Sequence, residues 1–124
     1  MTGVQTCALP IFTLSGLGAG VTDLLLHYPK QVTSGASAPT VYPYTIVANG
    51  NGVAAKVVRT TVTNAYNFLD IELGRVFAAD VFIGAFNIGV NIDHTQDFVT
   101  LHNLHHGIFW DELEGASSSS QKMP

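Results

Sequence analysis

The strongest constraint on the fold lies between residues 69 and 93, where apolar and polar residues alternate with a period of two. Leu69, Ile71 and Leu73 are separated by Asp70 and Glu72. Successive side chains of a strand point to opposite sides, so this pattern predicts a strand with two unlike faces. The alternation returns with Phe82, Gly84, Phe86, Ile88, Val90 and Ile92 on one side and Ala85, Asn87, Gly89, Asn91 and Asp93 on the other. This second strand is about a dozen residues long, where five or six is typical.

A tight hairpin joining the two stretches can be tested by register. With Ala78 and Ala79 as a central turn, Leu73 faces Gly84, Ile71 faces Phe86 and Leu69 faces Ile88. Glu72 then meets Ala85, and Asp70 meets Asn87. A slip of one residue would set carboxylates against phenylalanines, so the agreement favours an antiparallel hairpin over residues 66–93. Ala-Ala is a poor two-residue turn, but a loop from Phe77 to Asp80 keeps the same register.

Elsewhere the sequence is less regular. Gly16, Gly18 and Gly20 disfavour a helix, at about 1 kcal/mol each relative to Ala, and suggest a strand with one smooth face. Pro29, Pro39 and Pro43 among Ser, Thr, Gly and Ala mark a long loop, about 29–52. Asn49, Gly50, Asn51 and Gly52 separate two β-branched stretches and read as a second hairpin turn. Residues 116–124 are low in complexity and are expected to form a disordered tail. At the other end, Met1 to Ile11 resemble a translated sequencing adapter, which sets 1–11 aside as an artefact and leaves 12–115 as the folded part. The only cysteine, Cys7, falls within that segment.

The expected fold class is therefore mainly β, an antiparallel meander of hairpins. Its two faces fit two environments. In an outer-membrane barrel the apolar face meets lipid and the polar face lines a lumen; in a soluble sandwich the apolar face is core. Charged residues make up 11% of the chain against about 25% in ordinary domains, and the polar face offers small residues and amides instead of Lys and Glu. Arg75, on the apolar side near the turn, could reach a membrane interface. These features favour a partial, open barrel of the outer-membrane type. The best candidate for a transmembrane helix, Val76 to Ile92, contains Asp80, Asn87 and Asn91 and is not one. A net charge of -4 and five widely spaced Lys and Arg residues argue against nucleic acid as a partner.

The stretch YNFLDIELGRVFAADVFIGAFNIGVNID, from Tyr66 to Asp93, resembles the pore-forming outer-membrane β-barrel family typified by the Legionella major outer-membrane protein. Asp70, Glu72 and Gly74 fit a D-x-E-x-G strand, while Ile83, Gly84, Ala85, Ile92 and Asp93 fit the following strand approximately. Thr40 to Ile46 resembles an upstream loop of those proteins. The resemblance implies a fragment of a passive pore or structural barrel, from a bacterial outer membrane, with the lipid bilayer and the rest of its own barrel as partners. It implies no enzyme and no cofactor. On that reading Asp70, Glu72, Asn87, Asn91 and Asp93 face the lumen, biasing it toward cations. Leu69, Ile71, Leu73, Phe82, Phe86, Ile88, Val90 and Ile92 face lipid.

Two alternatives stay open. A soluble β-sandwich or extracellular binding module would show the same alternation. A metal enzyme is suggested by His102, His105 and His106, an H-x-x-H-H box that would share one face of a helix. Enzymes of that kind use several such boxes, and a polar surface segment accounts for a single one. Asp70 and Glu72 could serve acid–base chemistry, though paired exposed carboxylates are usually solvated charges. Gly16, Gly18 and Gly20 lack the spacing of a dinucleotide loop. Phe109 and Trp110 suit either a membrane girdle or a core.

Overall fold

In the computed structural model, residues 10–32, 38–93 and 98–107 are described, apart from the side chains of 51–53. Most of the segment resembling an adapter, Phe109, Trp110 and the expected tail lie outside them. Six strands form one sheet: β1 (Phe12–Leu14), β2 (Gly20–Thr22), β3 (Leu25–His27), β4 (Ile46–Val58), β5 (Thr61–Ile92) and β6 (Val99–Gly107). None of the described residues is helical.

The β content agrees with the alternation, but the expected antiparallel meander is wrong. Every strand pairing is parallel, and the sheet is nearly closed and barrel-like. Ile46 pairs with Leu69, Lys56 with Phe77 and Val76 with Val99, so neighbours in the β4–β5 and β5–β6 pairings lie 21 to 24 residues apart in sequence, against 34 to 36 where β1, β2 and β3 join the sheet. At 3.3 Å per residue, the 32 residues of β5 would stretch about 105 Å if straight. They curve back instead: the Phe82 amide donates to the Thr60 carbonyl at 3.0 Å and the Asp93 amide to the Ile71 carbonyl at 2.8 Å. The later half of β5 thus lies beside its own beginning, one turn further along a coil. The two alternating stretches assigned to a hairpin are successive turns running in the same direction.

The supposed hairpin turn is a bend. Asp80 has φ 57°, in the left-handed region, and the chain turns a corner there without reversing. The same corner recurs in each turn of the coil, because the registers align Asp23, Arg59, Asp80 and Asn103, with φ of 58°, 48°, 57° and 56°. Asp and Asn tolerate this conformation better than other side-chain-bearing residues. Arg59 is held there by Asp23, with Nε to Oδ1 at 2.6 Å and Nη2 to Oδ2 at 2.8 Å. Asn103 Nδ2 donates to Asp80 Oδ1 at 2.8 Å. Each corner also shifts the inward parity: Ala55 and Val57 are buried before Arg59, Thr60 and Val62 after it; Val76 and Ala78 are buried before Asp80, Val81 and Ile83 after it.

The coil is filled by these inward side chains. Phe68, Ile46, Leu69, Ile71, Ile83, Val57, Val62 and Val81 are fully buried, each contributing roughly 1.5–3 kcal/mol of hydrophobic stabilisation. The expected Asn-Gly hairpin at 49–52 is likewise absent, since β4 runs through it with register shifts on either side of Asn49, as at a bulge. The glycine-rich segment is mainly a turn, with the Ala19 amide donating to the Gly16 carbonyl and Gly18 at φ 74°; only Gly20 enters a strand. The long loop is tied at its base by Gln31, which is almost fully buried. Its side chain accepts from the Thr40 amide at 2.7 Å and donates to the Thr40 carbonyl at 2.9 Å.

Candidate functional site

The expected lumen-facing residues are brought close together, as successive turns of the coil. The registers set Asp70 beside Asn91, whose Nδ2 donates to Asp70 Oδ1 at 3.0 Å. Asn87 Nδ2 donates to Asn67 Oδ1 at 3.0 Å, and that oxygen also accepts from the Ile88 amide at 3.2 Å. Glu72 is hydrogen-bonded to Asp70, and this contact raises its pKa above the ordinary carboxylate value, helped by burial and by the charges of Asp70 and Asp93; a hydrogen bond from Asn49 opposes the shift. Burial and the Asp70 charge push the Tyr44 phenol up as well. Asp70 is only 9% exposed. The result is a polar ladder whose members bond mainly to one another.

The residues expected to face lipid are split. Leu69 and Ile71 are core; Leu73, Phe86, Ile88 and Val90 are half-buried; Phe82 and Ile92 are 49% and 47% exposed. The interior around Phe68, Leu69 and Ile71 is packed with apolar side chains and presents no polar lumen among the described residues.

The histidine box lies on β6, a strand, so His105 and His106 point to opposite sides. His105 stacks on Phe82 with ring centroids 4.6 Å apart and an angle of 9°, and its Nε2 is 3.0 Å from Asn103 Oδ1. His106 Nε2 is 3.0 Å from the Ala85 carbonyl, and its ring fills the space left by Gly89, where an added Cβ would come within 2.9 Å. Among the described residues no group of three or more His, Cys, Asp or Glu side chains is placed to hold a metal ion.

A different surface is open for binding. Lys56 and Phe77 are register partners on the outer face, in adjacent turns. Phe77 is 43% exposed, and Lys56 is exposed with no side-chain hydrogen bond or ion pair among the described residues. The two residues separate two hollows. The larger, about 510 Å³, is lined by Gly18, Gly20, Val21, Thr22, Val58 and Arg59 together with the pair itself. The smaller, about 150 Å³, adds Ala54, Ala55, Arg75, Val76, Phe98 and Thr100. Among the described residues, neither lining contains a carboxylate. Gly20 keeps the floor low, since a Cβ there would meet the Lys56 carbonyl at 3.2 Å.

This groove gathers three of the five Lys and Arg residues, which look scattered along the sequence. A coil repeat would have revealed it, because residues 21 to 23 apart become neighbours. The repeat is faint: VTDL at 21–24, VVRT at 57–60, AADV at 78–81 and LHNL at 101–104 share only an apolar–x–corner–x outline. Comparison with protein-family models, with curated proteins and with solved structures returns no match to the chain.

Proposed function

We propose that the chain is a non-catalytic binding module, a parallel β-coil that presents the groove around Lys56 and Phe77 to an anionic ligand. The observation that carries this reading is the pairing of a cation with an exposed aromatic ring between two hollows; among the described residues the cation has no partner and the hollows no carboxylate. A charged group facing an acidic partner gains charge-assisted hydrogen bonds, and an exposed ring offers apolar contact area that water solvates poorly. The acid–amide ladder is a weaker candidate because its polar atoms are already engaged. The passive-pore reading was built on antiparallel strands and a polar interior, and the filled coil lends it no support.

Binding to dextran sulfate, to diethylaminoethyl-dextran and to unmodified dextran tests the proposal. The expected result is preference for the sulfated polymer, affinity that falls as salt rises, and weaker binding by Lys56→Gln. Preference for the cationic polymer would hand the function to Asp70, Glu72 and Asp93 and contradict the reading.

A further inference from the structure

We infer that Asn49 is a modification site, which deamidates spontaneously in the folded coil and turns one end of the acid–amide ladder into a cluster of carboxylates. Sequence supplies the first reason. Asn49 is followed by Gly50, so the backbone nitrogen that attacks its side chain belongs to a residue with no Cβ to obstruct the approach. Asn64, Asn67, Asn87, Asn91 and Asn103 are each followed by a residue that has one.

The register supplies the second. From Asn49 to Ala54, β4 advances five residues while β5 advances two, from Leu73 to Arg75. Residues 50–53 therefore form a bulge, and among the described residues none of them has a register partner in β5. Opposite them Gly74 takes φ 99°, a conformation that side-chain-bearing residues rarely adopt. A regular ladder would hold the Gly50 nitrogen away from the preceding side chain, and the bulge removes that restraint. Asn49 is exposed at this point. Gly50 is buried, which the reaction tolerates because the two reacting groups belong to adjacent residues and water reaches the ring from the Asn49 side.

The chemistry needs only water. The Gly50 nitrogen bonds to Asn49 Cγ, the Cγ–Nδ2 bond breaks, and ammonia leaves with the proton that the nitrogen gives up, closing a cyclic imide. Water then opens either carbonyl of the ring, leaving aspartate or isoaspartate at position 49. In both products a carboxylate replaces the amide.

The consequence falls on the ladder. Asn49 donates a hydrogen bond to Glu72, which is already bonded to Asp70 and feels the charge of Asp93. The product has no donor to offer, so an acceptor faces an acceptor and a new negative charge joins existing ones. Isoaspartate also lengthens the main chain by a methylene at the bulge. Position 49 is not among the residues lining either hollow, so the modification is separate from ligand binding in the groove.

The test uses the full chain carrying Asn51→Gln, which removes the neighbouring Asn-Gly pair. It is kept in mildly alkaline buffer with and without denaturant, and peptide mass mapping with fragmentation follows each asparagine. Position 49 is expected to convert in the folded chain at nearly the rate of the unfolded chain, while the other five named asparagines stay intact in the folded chain. Gly50→Ala should slow the conversion severalfold. An amide at position 49 that survives in the folded chain while converting in denaturant would overturn the assignment. For the consequence, Asn49→Asp should lower the urea midpoint, and Glu72→Gln should restore part of that loss because its amide can donate to the new carboxylate. A midpoint equal to that of the parent would show that the ladder does not feel the modification, and the second half of the inference would fall.

Discussion

The acid–amide ladder and the cation–aromatic groove lie on the outside of the same coil and use their polar groups in opposite ways. Asp70, Asn91, Asn67 and Asn87 are joined by hydrogen bonds between turns, so their polar atoms help to hold adjacent turns in register. Lys56 has no such partner among the described residues, and Phe77 leaves much of its ring in water. Exposed charge and exposed aromatic surface add little to folding, whereas polar groups bonded to one another in partly buried positions do. The contrast separates a face that maintains the coil from a face that is available to something else.

Substitutions can break or sharpen this contrast. The largest effect is expected inside the coil that both faces share: Phe68→Ala should cost about 3–5 kcal/mol in denaturant unfolding, through lost burial and the cavity left behind. On the ladder, Asp70→Ala strands the Asn91 amide and should cost about 1–3 kcal/mol. Loss of stability no larger than that of an ordinary surface substitution would show that the ladder is not holding the turns together.

Acidity offers a subtler probe of the ladder. The Glu72 pKa is raised in the folded state, so folding takes up a proton there, and the associated stability is present below the unfolded value of about 4.5. It is lost as pH rises through the higher folded value. Glu72→Gln should therefore flatten the fall in stability over that window and leave the protein more stable at neutral pH than the parent. Asp23 works in the opposite sense, since hydrogen bonds from Arg59 and Thr22 lower its pKa. Its contribution is present above the unfolded value and lost as pH falls through the folded one. At the bottom of the scale, Phe77→Ala should change stability by less than about 0.5 kcal/mol, although the same change removes ligand binding surface. A larger loss would mean that the ring is part of the packing.

The sequence carried the strand character of 69–93 openly, because period-two alternation reports directly on a pleated backbone. It also pointed to Asp70, Glu72, Asn87, Asn91 and Asp93 as a group, and the coil does collect them. Strand direction was not legible. Alternation is the same in parallel and antiparallel sheets, and the register that matched Ile71 with Phe86 was satisfied by apolar faces that have a different neighbour in the coil. What distinguishes the two is a single residue, Asp80, whose left-handed backbone bends the chain where a hairpin would reverse it. Because that corner shifts the inward parity, Ile83 rather than Phe82 is buried. The groove was hidden for a related reason: Lys56 and Phe77 are 21 residues apart, and the long loop between β3 and β4 interrupts the repeat that would make such a distance meaningful.

Both faces, and the function proposed for one of them, depend on the parallel coil that sets residue 56 beside residue 77. A cysteine pair, Lys56→Cys with Phe77→Cys, tests that placement directly once Cys7 is replaced by Ser. Parallel neighbours sit about 4.8 Å apart, within the Cα separation of roughly 4.4–6.8 Å that a disulfide spans. Mild oxidation should give a nearly complete intramolecular crosslink in the monomer, seen as a mobility shift reversed by reductant. In an antiparallel hairpin Phe77 stands opposite Asp80 and far from Lys56, so a monomer that stays fully reduced would contradict the coil and both faces built on it.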